Sequence, residues 1–157
     1  MQRLWLGGLF LLVVACGPST TDDASSVRSQ SLELQALVER HVTSASSSQP
    51  TCSAEMEAYR SRANQLLGSL RGMCPGLDAC MSGMGHGEQA DMAGAVKDLE
   101  TELNAHVAGA CAATDVAAEM ARHRSAMVTH CQHLVTRSEA VVGMMGTRGM
   151  MVSRGCR

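Results

Sequence analysis

The chain has 157 residues, 13 basic and 15 acidic side chains and a formal net charge of −2, which is enough length for one compact domain. It contains one Trp, one Tyr, one Phe and no Ile. This composition argues against a β-sandwich or barrel, whose inner faces need β-branched and aromatic residues. A near-neutral chain with a single lysine also lacks the basic cluster of a nucleic-acid-binding protein.

The N-terminus has the pattern of an export signal over residues 1–15. Arg3 supplies a positive charge, and Leu4–Val14 form an apolar stretch that is too short to span a bilayer. The four residues that end at Cys16 (VVAC) resemble the lipobox of bacterial lipoproteins, which implies cleavage before Cys16 and attachment of lipid to it. Gly17 stands where that family often places the Asp that retains proteins in the inner membrane, so the resemblance implies an outer-membrane anchor facing the periplasm. An ordinary secretory signal with a chance cysteine is the alternative.

Residues 16–26 are rich in Ser, Thr, Asp and Pro and are predicted to form a flexible tether. Four segments then carry apolar residues at alternating steps of three and four, which is the period of a helix, and none shows the alternation of a strand. These segments cover residues 27–45, 51–73, 92–110 and 116–141. Short links between them predict an all-α, antiparallel up-down four-helix bundle over residues 27–143.

Two helix boundaries have local signals. Thr114-Asp115 is a good N-cap pair for the fourth helix, and Cys74-Pro75-Gly76 should end the second. That end leaves a Cys-, Met- and Gly-rich loop over residues 74–87, which is long for a bundle connection and therefore a candidate functional segment. A Met-rich C-terminal tail is predicted over residues 144–157, with methionines at positions 144, 145, 150 and 151.

Counting along the helices places several polar and sulfur side chains at one level of the bundle, because each helical residue advances about 1.5 Å. His41, His106 and His123 lie on inward stripes at similar distances from the links at residues 46–51 and 111–114, and Met56 and Met120 join them. Neutral imidazole suits copper, zinc, iron and nickel, whereas thioether selects Cu(I). The mixed set therefore predicts a copper site in the core.

The same residues have a structural alternative. A histidine on an apolar stripe is commonly a hydrogen-bonded core residue, and Met fills gaps in a core that lacks Phe and Ile. Three imidazoles at one level favour the metal site, since burying them without partners is costly. Glu102 precedes His106, and Glu119 precedes His123, by four residues, so each carboxylate could orient the histidine on its own helix or be its neighbour on a solvated face.

Six cysteines follow Cys16, and an even number in an exported chain predicts a disulfide framework. The helical count brings Cys52 and Cys111 to one end of the bundle and Cys74 and Cys131 toward the other. The predicted pairs are Cys52–Cys111, Cys74–Cys131 and Cys80–Cys156. An exchange of Cys74 and Cys80 remains open.

A second group of methionines and histidines gathers at the end of the bundle opposite these links. The loop and tail segments CMSGMGH and MMGTRGMM resemble the Met-rich and His-rich motifs of periplasmic copper-handling proteins. Flexible thioethers suit weak Cu(I) capture and transfer, so the resemblance implies a labile second site. Its candidate ligands are Met81, Met84, His86, Met127 and His130. A Gly- and Met-rich segment without ligands is the alternative.

No enzyme motif is present: the sequence lacks HExxH, a P-loop, a complete GxGxxG, a nucleophile elbow and CxxCH. The sequence predicts a lipid-anchored envelope protein that binds metal, with copper the favoured ion, for sequestration or transfer. A metal-free structural or partner-binding lipoprotein is the alternative. A noncovalent haem bound by His and Met is disfavoured by the lack of aromatic residues. We expect no nucleic-acid partner.

Overall fold

The computed structural model describes residues 18–47 and 54–155 of the chain. Within these ranges four long helices are present and no strand occurs. The helices are α1 (Pro18–Ser47), α2 (Ala54–Gly83), α3 (Met92–Gly109) and α4 (Val116–Gly155), with short 3-10 helices at Gly87–Gln89 and Ala110–Ala112. The predicted all-α class is confirmed.

Contacts between side chains show that neighbouring helices run in opposite directions. Arg28, early in α1, pairs with Glu139, late in α4, whereas Glu39 pairs with Arg124, early in α4. The pairs Glu33–Arg62 and His41–Tyr59 show the same reversal between α1 and α2. Between α2 and α3 it is shown by Arg71–Glu100 and Asp78–Met92. Between α3 and α4 it is shown by Asp91–His133 and Glu102–His123. The helices pack in the cyclic order α1, α2, α3, α4, and they form an antiparallel bundle around one core.

The core consists of one inward stripe from each helix. On α4 the fully buried positions follow the helical period: Met120, His123, Met127, Cys131, Leu134, Ser138 and Val141. Leucine, valine, alanine and methionine fill most of the remaining core, as the composition requires. Each fully buried Leu or Met contributes about 1.5–3 kcal/mol relative to an exposed side chain.

Helix α2 differs from the prediction because it does not end at Cys74. It continues through Pro75 to Gly83, although proline removes one backbone hydrogen bond and clashes with the preceding turn. Leu77 and Met81 continue the inward stripe beyond the proline and are fully buried. Their burial offsets the local cost of Pro75.

The predicted loop over residues 74–87 is therefore reduced to a short turn after Gly83. Gly85 has a φ of 87°, a left-handed conformation that glycine adopts without strain. The extension of α2 also brings Asp78 to the start of α3. Its carboxylate accepts hydrogen bonds from the backbone N–H groups of Met92 and Ala93 at 3.0 and 2.8 Å, and so caps that helix.

Helix α1 begins earlier than predicted, and helix α4 ends later than predicted. The described part of the predicted tether, residues 18–26, is the first part of α1, and the predicted tail continues α4 to Gly155. The side chain of Ala24 is fully buried, and the Thr21 hydroxyl donates a hydrogen bond to the Met145 sulfur at 3.2 Å. Each extension covers apolar surface of the other, which explains why a Ser- and Thr-rich segment is helical.

The predicted disulfide between Cys74 and Cys131 is wrong, since both are free, buried thiols. Tyr59 and His123 share one level of the bundle, because their side chains are hydrogen-bonded. Cys74 lies 15 residues beyond Tyr59 and Cys131 lies 8 residues beyond His123, so the two cysteines are offset by about 10 Å along the bundle axis. A disulfide needs Cα atoms within about 7 Å.

Several predictions concern residues outside the described ranges. These are the export signal over residues 1–15, the lipid-attachment residue Cys16, and the disulfide partners Cys52 and Cys156. Among the described helices, none combines the length and apolar character that a membrane span requires.

Candidate metal centre

One ring from each helix meets in a single buried layer. The four residues are His41 of α1, Tyr59 of α2, His106 of α3 and His123 of α4, with exposures of 8, 4, 0 and 0%. The predicted convergence of the three histidines is thus observed. We refer to these four residues as the ring layer.

The rings form two stacked pairs. His41 stacks on Tyr59 with centroids 4.0 Å apart and planes within 8°, and His106 stacks on His123 at 3.8 Å and 13°. The two pairs are nearly perpendicular, with interplanar angles of 81–88°. Perpendicular rings with centroids 5.4–6.4 Å apart are a favourable arrangement for aromatic pairs.

The heteroatoms at the ring edges meet between the two pairs. His41 Nε2 lies 3.2 Å from His106 Nε2, and Tyr59 Oη lies 2.7 Å from His123 Nε2. Both distances are within hydrogen-bonding range. Three imidazole nitrogens and one phenol oxygen, all from different helices, thus form two adjacent hydrogen bonds.

The opposite nitrogens of His106 and His123 are held by carboxylates from the facing helix. His106 Nδ1 lies 2.9 Å from Glu119, and His123 Nδ1 lies 2.9 Å from Glu102. Each glutamate thus binds the histidine of the other helix and not the one four residues along its own, which corrects the sequence-based expectation. Both glutamates lie at the seam between α3 and α4 and are mostly shielded from solvent, with exposures of 17 and 12%.

Arg122 joins the two carboxylates at the surface of the bundle. Its guanidinium donates to Glu102 at 2.7 Å and to both oxygens of Glu119 at 2.9 Å. These bonds lower the pKa of the Glu119 carboxyl to about 2 and raise the pKa of Arg122 above its ordinary value. Hydrogen bonds therefore connect the half-exposed Arg122 through two glutamates to two fully buried imidazoles.

The hydrogen bonds fix several protons of the layer. Because a carboxylate only accepts, His106 and His123 donate through Nδ1–H. The Oη–H of Tyr59 donates to His123 Nε2, and one proton lies between His41 Nε2 and His106 Nε2. Burial, followed by the nearby His106, lowers the pKa of both His41 and His123 to about 4, so both rings are neutral at neutral pH.

This arrangement has two chemical consequences. Imidazoles whose outer nitrogen donates to a carboxylate are the usual ligands of protein metal sites, since that bond fixes the ring and increases its basicity. The layer is also fully hydrogen-bonded without an ion. Among residues 18–47 and 54–155, no group of three or more His, Cys, Asp or Glu side chains is already arranged around a metal position.

The two predicted thioether ligands each precede a residue of the ring layer by about one helical turn. Met56 precedes Tyr59, and Met120 precedes His123, by three residues, and both methionines are buried in the core. The residue of α2 in the ring layer is Tyr59 and not Met56. Both methionines belong to the buried core, and their role as ligands stays a prediction.

The candidate ligands of the predicted second site differ in their surroundings. Met81 and Met127 are fully buried core residues, unlike the exposed ligands expected, whereas Met84 and His86 lie in the turn after α2. His130 lines a surface cleft of about 360 Å³ between α3 and α4, together with His133, Asp91 and Asp98, and none of the four other candidates belongs to its lining. In that cleft His133 Nε2 lies 2.7 Å from Asp91.

Sequence reasoning missed Tyr59 and Arg122. Tyr59 fitted the apolar stripe of α2, yet it is the only tyrosine of the chain, and a buried phenol needs a hydrogen-bond partner. The need for a partner could have identified Tyr59 from the sequence. Arg122 follows Glu119 by three residues, as Arg60 follows Glu57 at the surface, and nothing in the sequence distinguishes these two pairs.

Comparisons with known proteins do not assign the chain to a family. No protein-family model matches it, and neither the curated proteins nor the solved structures contain a significant match. The functional conclusion therefore depends on the ring layer itself.

Proposed function

We propose that this chain is a lipid-anchored envelope protein whose helical bundle binds a copper ion for sequestration or transfer. The ligands are the Nε2 atoms of His41, His106 and His123. One observation supports this assignment above others: the Nε2 atoms of His106 and His123 face the other two rings of the layer, and their Nδ1 atoms are held at 2.9 Å by Glu119 and Glu102.

Binding requires a small rearrangement of the layer. The hydrogen bonds between His41 and His106 and from Tyr59 to His123 open, and the proton between the two Nε2 atoms leaves them. Three neutral nitrogen donors then become available without the loss of either glutamate contact. Imidazole suits copper, zinc, iron and nickel, and the predicted thioether ligands Met56 and Met120 favour copper among these metals.

The envelope location rests on the N-terminal sequence. The proposed lipid on Cys16 anchors the bundle to the outer membrane on its periplasmic side. We also propose the disulfides Cys52–Cys111 and Cys80–Cys156. The helical count brings Cys52 and Cys111 to one end of the bundle, and Cys80 and Cys156 remain because Cys74 and Cys131 are free. Bonds of this kind persist in an oxidising compartment.

Replacing His106 and His123 together by leucine tests the copper site. The double variant should keep its helical circular dichroism, because leucine suits a buried helical position, and should lose tight copper binding. The His133→Leu variant is the matched control, since it changes a histidine of α4 outside the layer and should bind copper like the wild type. Unchanged affinity in the double variant would refute the core site.

A second candidate function is a metal-free structural or partner-binding module. The completed hydrogen-bond network favours it, since each observed contact of the layer satisfies a buried polar group without an ion. In that case the wild-type protein binds no copper above the level of the double variant. The same titration therefore distinguishes the two functions.

A further inference from the structure

We infer that copper enters and leaves the ring layer through the seam between α3 and α4, and that Arg122 controls the rate of this exchange. The inference rests on the proposed function and adds to it a route for the ion. It is carried by the hydrogen bonds that connect the bundle surface to His106 and His123 through Glu119 and Glu102. Arg122 is a positioning residue in this account, because it acts through the two glutamates.

The seam offers a polar path from solvent to the buried imidazoles. At its outer end the side chain of Arg122 is about half exposed. Glu102 and Glu119 lie behind it and are mostly shielded, and the rings of the two histidines that they hold are fully buried. An ion that gives up its water needs polar partners along its way. The two carboxylates supply such partners.

Apolar side chains close the layer on the side that faces the turn after α2. Leu103 precedes His106 by three residues, Met127 follows His123 by four, and both are buried in the core. An ion that passed between them would lose its water without gaining a charged partner, which is costly. The seam lined by carboxylates is therefore the route of lower free energy.

The guanidinium of Arg122 closes the outer end of this path. It donates to Glu102 at 2.7 Å and to both oxygens of Glu119 at 2.9 Å, and all three of its nitrogen atoms are used. Its charge repels an approaching copper ion, which reaches a carboxylate only after one of these bonds opens. Because copper binding keeps the contacts between the glutamates and the imidazoles, the same closure limits release.

Lysine in place of Arg122 separates the closure from the charge. An ammonium keeps the positive charge, but it is a compact point charge and cannot hold two carboxylates in a planar fork. Loss of one charge-assisted hydrogen bond should make opening about tenfold more frequent. Uptake and release should both accelerate by about this factor, because the closure is the same with and without copper. The dissociation constant should therefore change much less than either rate.

The test follows copper exchange by stopped flow in the full-length protein purified in detergent. Quenching of the fluorescence of Tyr59, the only tyrosine of the chain, reports uptake of copper(II), and its recovery in excess EDTA reports release. Copper(I), supplied without oxygen as its acetonitrile complex, is followed in the same way with an excess of bicinchoninate for release. Arg122→Lys should exceed the wild type about tenfold in both rates.

The matched control is Arg124→Lys, two residues later on the same helix. Arg124 contacts Glu39 at the seam between α1 and α4 in an exposed ion pair, and this pair leads to no ring of the layer. The control should keep both wild-type rates. Arg122→Gln, which removes the bridge and the charge together, is a second test variant and should accelerate uptake at least as much as Arg122→Lys.

The pattern of the two rates decides the inference. Unchanged rates in both Arg122 variants, or an equal rise in Arg124→Lys, would overturn it, since copper would then use another route. Faster release with unchanged uptake would also overturn it, because a merely structural role of Arg122 weakens binding without opening a path. Copper binding by the wild type leaves the proposed function standing in each of these cases. A wild type that takes up neither ion would refute the proposed function, and the inference with it.

Discussion

Glu102 on α3 accepts a hydrogen bond from His123 on α4 at 2.9 Å, while His106, four residues after Glu102 on its own helix, is held by Glu119 of α4. The two contacts cross the seam between the helices in opposite directions. Each histidine is thereby fixed by the helix that it faces. The geometry of the ring layer consequently depends on the packing of α3 against α4 and not on either helix alone.

Replacing Glu102 by alanine should destabilise the copper-free protein by about 2 kcal/mol, because the Nδ1–H of the fully buried His123 loses its acceptor. Glu100→Ala is the matched control on the same helix. It removes an ion pair with the largely exposed Arg71 and should cost about 1 kcal/mol or less. Urea unfolding followed by circular dichroism measures both values. Equal costs would show that the contact between Glu102 and His123 does not stabilise the fold.

Arg122→Gln should lower the free energy of unfolding by about 1–2 kcal/mol, since the two neighbouring carboxylates lose the cation that they share. Arg124→Gln, two residues later, removes an exposed pair with Glu39 and should leave the unfolding midpoint unchanged. Added salt should reduce the difference between the variants only slightly, because Glu102 and Glu119 are largely shielded. Indistinguishable midpoints would contradict a role for Arg122 in organising the layer.

The copper-free protein should lose stability as the pH falls from about 6.5 to about 4. In this window the unfolded histidines bind protons that His41 and His123 exclude, because burial and the neighbouring His106 lower the pKa of both rings to about 4. The loss should reach about 3–6 kcal/mol for the two residues together. Urea midpoints at a series of pH values test this, with His133→Gln as a control that keeps the slope. A flat profile between pH 7 and 4.5 would contradict neutral buried rings.

Cys74 and Cys131 should be unreactive toward a thiol reagent in the native protein and react in denaturant. Burial raises the pKa of each thiol to about 12, so the reactive thiolate is scarce as well as inaccessible. We expect two thiols per chain to appear on unfolding. Their absence in denaturant would show that the two cysteines are oxidised, and their rapid reaction in the native state would show that they are exposed.

The sequence was sufficient to locate the histidines of the layer because the helical rise is regular. Counting from two links at one end placed His41, His106 and His123 together, and they are in contact. The glutamate contacts could not be assigned in this way, because the count gives only the position of a residue along the bundle axis. It does not say whether a glutamate contacts the histidine on its own helix or the one on the facing helix. The pairing of Glu102 with His123 depends on how α3 and α4 pack.

The helix ends were harder to predict because local signals compete with burial. Pro75 and Gly76 indicate an end of α2, but Leu77 and Met81 preserve the inward spacing and keep the helix intact. The N-terminal part of α1 reads as a polar tether in isolation. It is helical because α4 extends alongside it, as the contact between Thr21 and Met145 shows.

Metal content tests the central claim most directly. The protein should be purified in detergent from membranes of copper-supplemented cells and analysed by mass spectrometry beside the double variant that replaces His106 and His123 by leucine. The copper proposal predicts about one copper per chain in the wild type and none above background in the variant. Wild-type protein without copper, folded and with its ring layer intact, would contradict the proposal and identify the layer as a structural hydrogen-bond network.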